Sequence, residues 1–103
     1  MGFKEKTIGV LVGPGFEDLE FWVPYMRMKE EGAAVRVIGT VAGKTYTSKS
    51  GGLEAVSEAD AQSVTADQLD ALIVPGGWAP DKLRRDANVL QLVRDMDSRG
   101  RIL

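Results

Sequence analysis

The stretch Thr7-Ile8-Gly9-Val10-Leu11-Val12-Gly13-Pro14-Gly15-Phe16-Glu17-Asp18-Leu19-Glu20 decides the fold, because the side-chain period changes within it. Its first six residues form a short apolar run, partly β-branched and stopped by Gly13-Pro14-Gly15, which reads as a buried strand. Beyond the glycines, Leu19, Trp22, Val23 and Met26 recur at i, i+3, i+4 and i+7, one apolar face of a helix that ends at Gly32. Pro24 lies inside that pattern and opposes the carbonyl of Glu20. The helix is therefore expected to kink near Glu20 or to begin only a turn before the proline.

The rest of the chain repeats this grammar. Ala34-Val35-Arg36-Val37-Ile38 reads as a second strand, and residues 43–56 alternate weakly around glycines as a small hairpin. Thr65-Ala66-Asp67-Gln68 has capping-box spacing and opens one short helical turn. Ala71-Leu72-Ile73-Val74 is an uninterrupted apolar strand, expected to be covered on both faces, and it stops at Pro75-Gly76-Gly77. A second amphipathic helix follows, with Val89, Leu92, Val93 and Met96 inward, Asp86 as N-cap and Gly100 just past its end. Arg94 and Arg99 sit where cations suit the helix dipole. Arg101-Ile102-Leu103 opens a further apolar strand. The order β-α-β-hairpin-β-α-β gives an α/β fold with a mainly parallel sheet and right-handed crossovers. A last strand of three residues leads to the expectation that residues 1–103 form one incomplete domain.

Composition narrows the chemistry. The 103 residues include 13 basic and 15 acidic side chains, a net charge of −2, and neither cysteine nor histidine. Thiol nucleophiles, disulfides, histidine bases and Cys/His zinc sites are thereby excluded from these residues. The charge balance gives no reason to expect nucleic acid or an anionic membrane as partner. The apolar runs are strand-sized, and Met1-Gly2-Phe3-Lys4-Glu5-Lys6 leads into no signal-peptide core, so a cytoplasmic location is expected.

In open parallel sheets, ligands bind beyond the carboxyl ends of the strands where strand order reverses. Two loops lie there: residues 13–20, with Glu17, Asp18 and Glu20, and residues 75–81, with Gly76, Gly77, Trp78 and Asp81. The helix dipole accounts for Glu17 and Asp18 at a helix N-terminus. Glu20, beside the apolar face and the proline, is either a partly desolvated carboxylate suited to proton transfer or a solvated surface residue. Pro75-Gly76-Gly77 aims N–H groups into the crevice as an oxyanion hole or is simply a tight turn. Trp78 covers the site or packs without a role. Pro80 and Asp81 fit ordinary helix-start chemistry. Asp18 stands where a dinucleotide fingerprint needs its third glycine, no P-loop or EF-hand pattern is present, and the acidic spacing is too unspecific for a metal.

Taken together, these residues resemble the N-terminal part of the ThiJ/PfpI family, the class I glutamine-amidotransferase-like cysteine enzymes. The resemblance rests on Ile8-Gly9-Val10-Leu11, Gly15-Phe16-Glu17-Asp18-Leu19-Glu20, Pro24-Tyr25, Lys29-Glu30-Glu31-Gly32 and Asp70-Ala71-Leu72-Ile73-Val74-Pro75-Gly76-Gly77-Trp78-Ala79-Pro80-Asp81. It implies a flavodoxin-like fold without cofactor or metal and frequent oligomers. The implied activities are peptidase or amidase, glyoxalase III, deglycase and stress chaperone, acting on small carbonyl compounds or on peptide and amide bonds. By position, it implies that Glu20 touches a nucleophilic cysteine and that the Gly77 N–H serves the oxyanion hole. Asp81 replaces the glutamate that orients a histidine, while Glu17, Gly76 and Trp78 line the substrate site. The resemblance places the Cys-His elbow after Leu103. The chain is then expected to be inactive alone and to work with a complementing C-terminal segment or as a homo-oligomer. The rival expectation is a non-catalytic α/β domain acting through self-association or a partner. A nucleotide- or flavin-binding module rests on fold analogy alone and ranks last.

Overall fold

Parallel pairing around one central strand organises the chain. The computed structural model describes residues 3–103, so the N-terminal reading falls in part, at Met1 and Gly2, outside the described residues. Strand β1 (Thr7–Leu11) pairs in parallel with β2 (Ala34–Gly39) on one side and β6 (Ala71–Ile73) on the other. The two-residue β5 (Ala59–Asp60) extends the sheet beyond β2, giving the order β5-β2-β1-β6. β3 (Thr45–Thr47) and β4 (Glu54–Val56) form a separate antiparallel hairpin, as the glycine-punctuated sequence predicts.

The chain leaves β1 toward β2 and β5, then returns across β1 to start β6. Strand order therefore reverses between β1 and β6, and the loops that follow these two strands open onto the same crevice. Crossovers of one hand travelling in opposite directions lay helix α1 (Asp18–Glu30) and helix α3 (Ala87–Ser98) on opposite faces of the sheet. A short helix, α2 (Ala79–Leu83), precedes α3.

Ile8, Val10, Leu11, Ile38 and Leu72 form the buried centre, with Val89, Leu92 and Met96 of α3 packed into the same core. Each such side chain contributes about 1.5–3 kcal/mol on leaving water. The cap readings of α3 hold, whereas no basic side chain lies in its last turn and Arg99 stands at the C-cap. Asp86 Oδ1 accepts from the N–H groups of Asn88 and Val89 at 2.9 and 3.0 Å, and Gly100 takes a positive φ of 68° just past the helix end. Residues Ala66–Gln68 form a single 3-10 turn in which the Gln68 side chain accepts from the Thr65 N–H at 3.1 Å.

Three local expectations are corrected. The face of α1 that packs inward is not Leu19, Val23 and Met26, which are 64%, 57% and 63% exposed. Phe21, 1% exposed, is the anchor, and its ring meets Phe16, Trp22 and Tyr25 with centroids 5.1, 5.1 and 5.7 Å apart. Periodicity finds apolar stripes; it does not tell which of two opposite faces of the helix the sheet covers.

Second, α1 does not begin only a turn before Pro24. It starts at Asp18 and runs to Glu30 with Pro24 inside it, a residue that has no N–H to donate to the Glu20 carbonyl. The aromatic anchoring and the cap at Glu17 hold the first turn despite that loss. Third, β6 is not covered on both faces. Leu72 is buried, but Ala71 and Ile73 are half-buried and Val74 is exposed, because β6 lies at the sheet margin beside a single bridge from Ala71 to Ile102.

Candidate functional site

Three carboxylates crowded into residues 17–20 do three different jobs. Glu17 is the N-cap of α1, its carboxylate accepting from the Leu19 N–H at 3.4 Å. Asp18 reaches the hairpin, accepting from the hydroxyls of Ser50 at 2.6 Å and Ser48 at 2.9 Å. The Ser50 hydroxyl, with the Ser48 hydroxyl after it, holds the Asp18 carboxyl below its ordinary value against a smaller desolvation effect. Glu20 points the other way, into the crevice, where Oε1 accepts from the Gly76 N–H at 2.7 Å. It is an exposed carboxylate rather than a desolvated one. Among the described residues no set of three acidic side chains gathers as a cation cradle.

The glycine loop is built by the same crevice. Phe16 and Gly77 face each other as an antiparallel bridge, with Glu17 N–H donating to Gly76 O at 3.0 Å and Trp78 N–H donating to Gly15 O at 2.8 Å. In such a pair the facing residues' own N–H groups point outward. The Gly77 N–H makes no hydrogen bond among the described residues, and Gly77 is exposed. A side chain is barred there: φ is +82°, and an added Cβ would lie 2.6 Å from Gly15 O and 2.7 Å from the Glu17 nitrogen.

Glu20 and the Gly76–Gly77 pair are thus brought together from opposite halves of the chain, and among the described residues neither Glu20 Oε2 nor the Gly77 N–H has a hydrogen-bond partner. A charge-bearing acceptor beside an unpaired donor can serve a nucleophile and the oxyanion it creates.

The model of the DJ-1/PfpI family matches residues 6–103. The chain belongs to that family. It is 36% identical over 96 residues to the Protein/nucleic acid deglycase 2 of Escherichia coli, covering 93% of this chain and 56% of that protein. To the Putative cysteine protease YraA of Bacillus subtilis it is 42% identical over 81 residues, covering 79% of this chain and 47% of the relative. A crystal structure of a two-domain protein from Anabaena variabilis, containing DJ-1/ThiJ/PfpI-like and ferritin-like domains, superposes with a TM-score of 0.91 at 32% identity. That superposition covers 94% of this chain and 28% of the larger one. The chain spans about half the length of the curated relatives it matches.

The remaining sequence-derived candidates of this DJ-1/PfpI chain do not converge on the Glu20 cleft. Asp81 is exposed on α2, 3.6 Å from Arg84, and hydrogen-bonds neither Glu20 nor the glycine pair. Trp78 is half-exposed, its indole lying on the backbone of Gly15. Sequence reasoning missed Ser48 and Ser50. Only the glycines after them marked their loop, and nothing local points to a partner 30 and 32 residues away.

Proposed function

We propose that this chain supplies Glu20 and the Gly77 N–H to a DJ-1/PfpI-type active site whose nucleophile comes from outside residues 1–103. The observation that carries the reading is the Glu20–Gly76 hydrogen bond with the Gly77 N–H unpaired beside it. The amide fixes Oε1, so Oε2 is presented to a thiol. On attack at a carbonyl carbon, the charge that develops on oxygen meets the Gly77 N–H. One such donor is worth about 2.7–4 kcal/mol of barrier. With no histidine in the chain, the group that orients or protonates the leaving atom also comes from outside these residues. The names of the relatives support a substrate that is a small-carbonyl adduct of an amino acid or nucleotide, or an amide bond.

The test has two arms. Residues 1–103 alone are expected to give no turnover of methylglyoxal-modified amino acids above buffer; turnover without a thiol overturns the reading. A fusion to the complementary half of the Escherichia coli relative is expected to be active and to lose at least 100-fold in kcat with Glu20→Gln or Glu20→Ala. A fusion that is active but indifferent to Glu20 overturns the assigned role.

A second reading, self-association, is favoured by Leu19, Val23 and Met26, which expose three apolar side chains along one line of α1. Sedimentation of the chain is expected to show a dimer that Val23→Glu dissociates. A monomer that melts cooperatively contradicts it.

A further inference from the structure

A cavity of about 480 Å³ lies on the hairpin side of the glycine loop, and neither Glu20 nor the Gly76–Gly77 pair lines it. Its walls are Lys44, Tyr46 and Thr47 of the hairpin region, Gly15, and Trp78 and Lys82 around α2. No acidic residue lines it, although the chain as a whole carries more acids than bases. The cations that form ion pairs among the described residues are the arginines Arg27, Arg36, Arg84 and Arg99. Among the described residues, Lys44 and Lys82 have no carboxylate within ion-pairing distance.

Two like charges facing one cavity repel unless something of opposite sign lies between them, and a cleft of one sign concentrates counter-ions. The walls are also flat and apolar. Trp78 presents a half-exposed indole, and Gly15 sets its position: a Cβ at Gly15 would lie 2.7 Å from the ring. The Lys44 ammonium lies 5.4 Å from the Tyr46 ring centroid, and Lys49, which does not line the cavity, places its ammonium 5.8 Å from that of Trp78. Cations held beside aromatic faces, in a cavity that Thr45 and Thr47 also line, match a flat organic body that carries a negative charge.

We propose that this cavity binds a small planar organic anion, a carboxylate or a phosphate ester, with its charged group between Lys44 and Lys82 and its flat body against Trp78. The site is independent of the thiol chemistry proposed above, since it uses neither Glu20 nor the Gly77 N–H.

The experiment is a heteronuclear NMR titration of the 103-residue chain with phenyl phosphate, benzoate, inorganic phosphate and neutral benzyl alcohol. One of the two aromatic anions is expected to saturate and to move the amides of Gly15 and residues 45–48 together with the Trp78 indole N–H. Which of the two binds more tightly identifies the charged group. Inorganic phosphate is expected to bind at least tenfold more weakly than the better aromatic anion, and benzyl alcohol not to saturate. The double variant Lys44→Gln/Lys82→Gln should weaken binding at least tenfold while keeping a native spectrum. Lys4→Gln/Lys6→Gln, which removes the same charge elsewhere, should leave binding unchanged. Shifts scattered over the surface, equal binding of benzyl alcohol, or equal losses in both double variants overturn the proposal.

Discussion

Glu20 Oε1 and the Gly76 amide nitrogen are 2.7 Å apart although 56 positions separate them in sequence. The bond ties the first turn of α1 to the loop after β6, the two segments that flank the reversal of strand order. Glu20 is exposed, so water competes for the amide, and the net contribution is about 1 kcal/mol. Glu20→Ala should lower unfolding stability by about that much and speed hydrogen exchange at Gly76. Glu20→Gln, which keeps an acceptor oxygen, should leave exchange near the wild-type rate. Equal exchange in all three proteins would show that the bond does not persist in solution.

Gly77→Ala should be far more damaging than Gly43→Ala, although both residues have positive φ, 82° and 75°. At Gly43 an added Cβ meets nothing within 4 Å, so only the left-handed conformation costs, about 1–2 kcal/mol. At Gly77 the Cβ also collides with backbone atoms that cannot rotate away. Urea unfolding should place Gly77→Ala at least about 1 kcal/mol below Gly43→Ala.

Acid should loosen the hairpin from α1 before it unfolds the sheet. The Asp18 carboxyl is held below its ordinary value by Ser50 and Ser48, so its folded-state pKa is lower than its unfolded one. Its stabilising contribution is complete above the ordinary aspartate range and is lost as pH falls through that range to the depressed value. The stability difference between wild type and Asp18→Asn should therefore shrink as pH falls, and amide exchange at Ser50 should accelerate in step. A difference independent of pH would contradict this.

Phe21→Ala should cost about 3–5 kcal/mol, as for a fully buried aromatic side chain. Val23→Ser, two positions along the same helix, should stay within about 0.5 kcal/mol when measured on the monomer. Thermal melts of both variants at low concentration check the assignment of the buried face. Comparable losses would restore the Leu19-Val23-Met26 face as the inner one.

The α/β class was legible because strands and helices carry different periods. The turn from Val12 to Phe16, the Asp86 cap and the Gly100 stop are local signals, set by residues a few positions apart. The Phe-Glu-Asp-Leu-Glu and Pro-Gly-Gly segments also marked the two loops that meet. The inward face of α1 was not legible, because Phe21 and Leu19, about 200° apart around the helix, lie on opposite apolar faces and only the sheet beneath chooses between them.

The sequence by itself determined the elements, their order and the family pattern, since each depends on short-range spacing and backbone preference. Tertiary structure alone decided which of three adjacent acids faces the crevice. Glu17 caps the helix from extended backbone, while Asp18 and Glu20, about 200° apart around α1, reach the hairpin and Gly76, partners that only folding brings near.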